Sequence, residues 1–431
     1  MIRIRFTKPS EVVRRIREVF EEVAAVTEGR AASETEGVVE TILEDVRLRG
    51  DAAVRRWAEK FDGVTADFEV SEEEMEAARE GLSPEALDAL MFCADSVRVC
   101  AEKIMESLGD VRFDFRGHVV RVETRPVEAV LCYAPGGGFS LASSLLMAAV
   151  TARAAGVSGI HAASPAPSAF LMAAASVAGV KSLYRLGGAQ ALAAFAFGTE
   201  TVPKVDMIVG PGNVYVTEAK RLLFGRVGID ALAGPSELFV FADSGADADA
   251  VALDLLAQAE HAPDSICVLA TADAALADAV EERMARFMSA ADVPRWVKEK
   301  AKRIPVVLCE EDEAIATADE LAPEHIELLS AKPESAARRL RHYGALFCGY
   351  GSSAVFGDYC AATNHILPTG GASRFASALS PLAFLRVRYR VDAGGGVSSS
   401  SLAECALEFA RREGLFFHAA RAAKAATSET P

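Results

Sequence analysis

Only seven histidines occur in the 431 residues, and four of them, His261, His325, His365 and His418, stand beside carboxylates, amides or Gly/Pro turns. In Gln258-Ala-Glu-His261 an amide and an imidazole lie three apart, on one face of a helix. Such a pair suits zinc if further ligands arrive from elsewhere. Alone, the spacing fits an ordinary polar helix end better, because the density of an HExxH motif is missing. Pro323-Glu324-His325 places a carboxylate and an imidazole on adjacent residues. Neighbouring side chains diverge, so the two would serve two different protons, each as a general base of the kind that contributes ~10²–10⁴ in rate. An exposed helix start accounts for this pair equally well. Asp358, in Gly357-Asp358-Tyr359, and Thr363-Asn364-His365 form a polar loop, suited to binding and equally to Asx turns. Glu413 and His418 are five apart, off a common helical face, in what reads as a solvated terminal helix.

Glycine-rich turns follow several apolar runs: Gly136-Gly-Gly138, Gly187-Gly188-Ala189-Gln190, Gly210-Pro-Gly-Asn213 and Gly234-Pro-Ser236-Glu237. Glycine after a strand lets backbone approach a ligand, and the N-terminus of a following helix favours phosphate. No GxGxxG occurs at these turns, so a nucleotide site is compatible with them but not established by them.

The elements that must carry these residues are short strands alternating with helices. Residues 1 to about 110 read as helical. Ser10 opens an apolar stripe through Val12, Ile16 and Phe20, Ser71-Glu-Glu-Glu74 is a capping box, and Ser83-Pro84 starts a long helix to Leu108. From Val127, apolar runs (Val127–Cys132, Ile160–Ala163, Ser182–Leu186, Met207–Val209) alternate with alanine-rich helices. The rhythm resumes at Leu238–Ala242, a helix over Asp247–Glu260, and Ile266–Ala270. Such alternation marks parallel sheets covered on both faces. The expected class is therefore α/β, with two doubly wound Rossmann-like domains plus small helical N- and C-terminal appendages. The tail after Ala403 reads as a helix that frays past Ala426.

Hydrophobic residues make up 51% of the chain and charged residues 25%, the balance of a globular protein with a large core. A formal net charge of −16 disfavours nucleic acid and anionic membrane surfaces as partners. Ala129–Ala152 and Ala154–Val180 are long and uncharged, but Gly and Pro interrupt both, which suits buried cores rather than membrane spans. Eight scattered cysteines with no CxxC pair read as reduced thiols, and the start has no signal-peptide core; a cytoplasmic location is expected.

Taken together, seven stretches resemble the histidinol dehydrogenase family. They are GGAQALAAFAFGT (187–199), VGPGNVYVTEAKR (209–221), GIDALAGPSE (228–237), LLAQAEHAPDS (255–265), PEHIE (323–327), GDY (357–359) and NHILPTGG (364–371). The likeness runs from about Tyr133 to His418, in the family's order. It implies an NAD-dependent alcohol and aldehyde dehydrogenase that oxidises an amino alcohol to the amino acid in two hydride transfers. One Zn²⁺ per subunit would be held by Gln258, His261, Asp358 and, from the partner of a homodimer, His418. His325 would be the base for the alcohol proton, and Glu324 would activate water onto the bound aldehyde. Ser143, Ser236, His365 and Glu413 match further substrate-contacting positions, beside the metal ligands and His325. Tyr133, Gln190 and Asn213 match the dinucleotide side, and the NAD assignment itself comes from the resemblance.

The expected organisation is a helical appendage at 1–25, a first Rossmann-like domain from 26–128 and 236–380 carrying the metal and catalytic residues, a second from 129–235 on the NAD side, and a tail at 381–431 reaching the partner's site. Several segments depart from the family pattern. The run after Tyr133-Ala-Pro-Gly-Gly is Gly138-Phe-Ser-Leu-Ala142-Ser143, Ser164-Pro-Ala-Pro167 replaces a longer proline loop, Ala383-Phe384-Leu385-Arg386 replaces an Asp-Phe-x-Lys segment, and Phe416-Phe417 replaces a small pair. These line the pocket, so another small alcohol is the alternative substrate. A metal-dependent hydrolase is a more distant reading, disfavoured by the glycine turns. A non-catalytic relative is disfavoured by the presence of every ligand and base.

Overall fold

The computed structural model describes residues 1–27, 32–64, 67–136, 141–289, 292–393 and 400–426. The Gly137–Ser140 part of the first glycine turn and the tail past Ala426 lie outside them. Fifteen strands are named in chain order: β1 Ile2–Arg5, β2 Glu69–Val70, β3 Val111–Phe115, β4 His118–Pro126, β5 Ala129–Tyr133, β6 Gly159–Ala163, β7 Ser182–Tyr184, β8 Met207–Val209, β9 Gly228–Ile229, β10 Glu237–Ala242, β11 Ile266–Thr271, β12 Pro305–Leu308, β13 His325–Leu329, β14 Ala345–Cys348 and β15 Leu385–Ala393.

Two six-stranded sheets form the α/β body. The first, in order β1-β12-β11-β10-β13-β14, is parallel throughout; the second, in order β2-β7-β6-β5-β8-β9, is parallel except for β2. Their strands are near-continuous Val, Ile, Leu and Ala, as a sheet buried on both faces requires. In each, the chain reverses direction across the sheet at a central strand, β10 in the first and β5 in the second.

The distribution of the N-terminal segments corrects the expected organisation. Ile2–Arg5 is an edge strand pairing with Pro305–Leu308, and the following helix Pro9–Thr27 packs Val12, Ile16 and Phe20 onto the first sheet. The start is thus part of that domain rather than a separate helical appendage. The helices Ala32–Arg49 and Asp51–Asp62 pack on one face of the second sheet with Gly188–Phe197 and Val214–Leu223. Glu72–Glu80 and Pro84–Glu106 pack on its other face with Ala142–Ala154 and Ala169–Ala178. Residues 32–106 therefore belong with the 129–229 sheet and not with 236–380. The reason is area: six strands are wider than two crossover helices per face can cover, and the N-terminal helices complete both layers.

A third sheet, β15-β4-β3, is antiparallel and has no counterpart in the expected organisation. It joins the body to a helical hairpin, Ser400–Arg412 and Phe416–Ala426, where one tail helix was expected. Among the described residues no helix is long and apolar enough to cross a membrane.

One glycine turn holds the second sheet's crest together. Gly210 follows β8 with φ of 112°, and a Cβ there would lie 2.1 Å from the Tyr133 carbonyl oxygen at the end of β5. Lys220, buried with Asp230, donates to the Gly210 carbonyl, while Asp230 accepts from the Gly210 N–H at 2.7 Å. Gly210→Ala should lower stability by roughly 2–4 kcal/mol, since it combines a disallowed backbone angle with a clash against backbone. Urea unfolding checks this, and a midpoint equal to that of the parent would contradict it.

Candidate active site

The cleft that gathers most of the candidate residues encloses about 170 Å³ between the two sheets. It lies at the carboxyl ends of the second sheet's strands and, unusually for open α/β sheets, at the amino ends of the first sheet's. Ser236 directly precedes β10, Glu324 directly precedes β13 and His325 opens it, and His261 starts the loop that leads from the helix Ala248–Ala259 to β11. From the second sheet come Ser143 and the Gly210-Pro211 turn.

His261 follows the helix Ala248–Ala259, one residue past its Glu260 cap. Its Nδ1 lies 3.0 Å from the Ala257 carbonyl, which can only accept, so Nδ1 carries the proton and Nε2 presents its lone pair. That Nε2 stands 3.7 Å from Asp358 Oδ2. Asp358 Oδ1 stands 4.0 Å from His325 Nε2, and His325 Nδ1 stands 3.6 Å from Glu324 Oε2. Four residues spread over a hundred positions of chain thus meet in a line.

Burial sets their protonation. Desolvation raises Glu324 to about 7, opposed by hydrogen bonds from the Ser236 side chain and the Glu237 N–H, the latter at 3.0 Å. Desolvation lowers His325, with Asp358 pulling the other way, and leaves it a neutral imidazole at pH 7. Asp358 is raised by desolvation and held down by His325 and His261. His365 falls to about 4 by desolvation; its Nδ1 donates to the Asp358 carbonyl at 2.9 Å, and Ser144 Oγ is 2.9 Å from Nε2. The adjacent Ser144, not Ser143, is the serine that holds this ring.

A divalent cation fits what is present. His261 offers an imidazole nitrogen of the right tautomer, Asp358 a carboxylate facing it, and Gln258 a buried amide one turn before His261 whose Nε2 has no hydrogen-bond partner. Neither nitrogen of His325 has a hydrogen-bond partner either. Among the described residues no group of three or more His, Cys, Asp or Glu side chains could hold a metal. Were a cation held here, one chain would supply only part of its shell. His418 and Glu413 are exposed and lie elsewhere, in the groove of the helical hairpin with His118 and Arg421.

The three dinucleotide-side residues sit along the second sheet's crest with their polar groups committed to the protein. The Gly188 N–H donates to the Tyr133 hydroxyl at 3.1 Å, Gln190 Nε2 donates to Asp62 at 2.9 Å, and Asn213 caps the helix Val214–Leu223 by accepting from Tyr215 and Val216 N–H. Asp62 was not among the expected residues, and neither was Lys300. This buried ammonium grips the Ala262 carbonyl at 2.6 Å and the Ser265 hydroxyl, which fixes the turn after His261. One of three lysines in Lys298–Arg303, it carries no local sign of that role; only the fold brings it there.

The sequence matches the profile of histidinol dehydrogenase over residues 26–425. The chain belongs to the histidinol dehydrogenase family. The Methanocaldococcus jannaschii histidinol dehydrogenase is 35% identical over 419 residues, covering 95% of this chain and 97% of that one. The Parasynechococcus marenigrum histidinol dehydrogenase is 42% identical over 405 residues, covering 91% of each. The crystal structure of histidinol dehydrogenase from Elizabethkingia anophelis superposes with a TM-score of 0.88 at 29% identity, covering 98% of this chain and 97% of that one. As a member of the histidinol dehydrogenase family, the protein is a dehydrogenase, and the cleft between its two sheets is where its buried acid and imidazole groups converge.

The raised Glu324 has a measurable consequence without substrate or metal. Between about pH 4.5 and 7 the unfolded chain releases this proton while the folded chain keeps it, so stability falls as pH rises through that window and levels off above it. Glu324→Gln removes the cost of burying the ionised form. Metal-free protein carrying it should gain about 3 kcal/mol at pH 8 and less than about 1 kcal/mol at pH 5. Thermal unfolding at both values checks this; an equal gain at both would contradict the assignment.

Proposed function

We propose that this protein oxidises L-histidinol to L-histidine through bound histidinaldehyde, with zinc in the site and two NAD reduced. The observation that carries the reading is the line of Glu324, His325, Asp358 and His261, spaced at 3.6–4.0 Å, in a chain of this family. Gln258, His261 and Asp358 would hold zinc, with His418 of a second subunit completing the shell. Bound zinc would supply Lewis acidity toward the substrate oxygen, and NAD, on the Tyr133, Gln190 and Asn213 side, the hydride acceptor.

The protein's own part is proton handling and orientation. His325, kept neutral by burial, accepts the hydroxyl proton of the alcohol as hydride leaves carbon, giving aldehyde, NADH and one proton. Glu324, poised near neutrality, takes a proton from water as its oxygen adds to the aldehyde. The hydrate so formed loses a second hydride and becomes the carboxylic acid. Glu324 and His325 cannot exchange roles freely, because Glu324 is tied to the Glu237 N–H while both nitrogens of His325 are open. Ser143, Ser236 and His365 line the cleft within one chain and would contact substrate, with Glu413 of the partner closing it.

Two features besides the incomplete shell support a homodimer with shared sites. The third sheet has an apolar face in register, where Val111 and Tyr389 flank Val122, and Phe113 and Val391 flank Val120. Phe113 is 45% and Tyr389 77% exposed, and the neighbouring hairpin exposes Phe416 and Phe417. Contiguous apolar surface of this kind marks an interface, and a twofold pairing would bury it against its own copy while carrying His418 across.

Purified protein with zinc should produce NADH from L-histidinol, and His325→Ala should lower kcat by ~10²–10⁴. No turnover of histidinol alongside turnover of another small alcohol would transfer the case to a relative of different specificity. His325→Ala and His418→Ala subunits, each inactive, should regain activity when mixed, because one hybrid site is intact. Subunit exchange without recovered activity would rule out the shared site.

A further inference from the structure

We propose that Asp254 and Glu327 are positioning residues, two buried acids that together hold the first turn of the helix Ala354–Tyr359 and so aim Asp358 at His261. The inference rests on the reading of Asp358 as a zinc ligand. Glu327 lies two residues after His325 on β13, on the same face, and is fully buried; Asp254 lies one helical turn before Gln258 and is 8% exposed. Neither belongs to the ligand set or to the two bases.

Their contacts converge on one place. Glu327 Oε1 accepts from the Ala354 N–H at 2.6 Å, and Asp254 Oδ1 accepts from Ser353 Oγ at 2.6 Å. Ser353 in turn caps the helix by accepting from the Val355 N–H at 3.2 Å. The helix has only six residues, too few to be stable by itself, so its direction is set by what grips its ends. Asp358 is one turn beyond the grip. Gly357 seals the same helix against the Phe347 ring, where a Cβ would approach to 2.3 Å.

Desolvation raises both carboxyls, Glu327 well above its usual range, and Glu327 Oε2 has no hydrogen-bond partner.

Zinc binding to the full-length protein, measured by competition with a chromophoric chelator, tests the assignment. Glu327→Leu leaves the Ala354 N–H without its acceptor and should weaken zinc affinity ~10–100-fold, the usual effect of losing an outer partner of a metal ligand. Glu327→Gln keeps an acceptor for Ala354 on a side chain of the same shape, so it should stay within about 3-fold of the parent. Ser353→Ala, a milder change for use if the leucine variant does not fold, should weaken zinc measurably in the same direction. Asp358→Asn is the control. If it loses zinc while folded Glu327→Leu, or Ser353→Ala in its place, binds as the parent does, the positioning role is wrong and the metal reading stands. If Glu327→Gln is as impaired as Glu327→Leu, the hydrogen-bond account is wrong. If Asp358→Asn binds zinc normally, the metal reading fails and this inference falls with it.

Discussion

Keeping titratable groups out of water is the constraint around which this protein is arranged. Glu237, Glu324, His325, Glu327 and Asp358 lie within a few strand and helix positions of one another, and four of the five are almost wholly enclosed. Isolated ions in such a place would cost several kcal/mol each. The fold answers with backbone N–H groups aimed at carboxylates: Glu237 N–H at Glu324, Gly370 N–H at Glu237, and Ala354 N–H at Glu327. Buried atoms left without a hydrogen-bond partner here are both nitrogens of His325, Gln258 Nε2 and Glu327 Oε2. A folded protein tolerates such unfilled polar atoms where a ligand is to fill them.

The position of the cleft follows from how the two sheets meet. The second sheet contributes the usual carboxyl-end crest, with a tight glycine turn after β8. The first contributes its amino ends, where side chains immediately preceding a strand are directed outward by the strand's own register. Ser236, Glu324 and His325 are adjacent in space because β10 and β13 are adjacent in the sheet, with Leu238 opposite His325. A switch in strand order at β10 thus does for the acid–base residues what glycine turns do for the crest opposite.

Much of the body was legible in the sequence, because short apolar runs bounded by glycine mark strands of a covered parallel sheet. Met207–Val209 and the helix starts at Ser71, Ser83 and Ser168 stand where local chemistry puts them. The edge strand Ile2–Arg5 was not read, since four alternating residues say little and their partner is three hundred residues away. Leu385–Ala393 alternates Arg with Val and Tyr, and that period of two was a usable sign of the third sheet. Of the site, the residue types were visible but their convergence was not: Gln258–His261 read rather as a polar helix end, and Glu324–His325 equally as a helix start or as two bases, until a resemblance joined them. Asp254, Asp62 and Lys300 had no local signal, because their importance lies wholly in which neighbours the fold supplies.

The pairing of Ile2 with Pro305 also has a bearing on how the chain is made. All the strands of the second sheet have left the ribosome once Ile229 emerges, so that half can condense during synthesis. The first sheet cannot close its edge until some three hundred residues have followed the opening strand, which must wait unpaired throughout. Its helix, Pro9–Thr27, carries an apolar stripe that needs shelter during that interval. Residues 2–27 therefore stay without their sheet partner through the synthesis of everything up to Leu308, and the crest that faces the cleft exists before the acids and imidazoles opposite it.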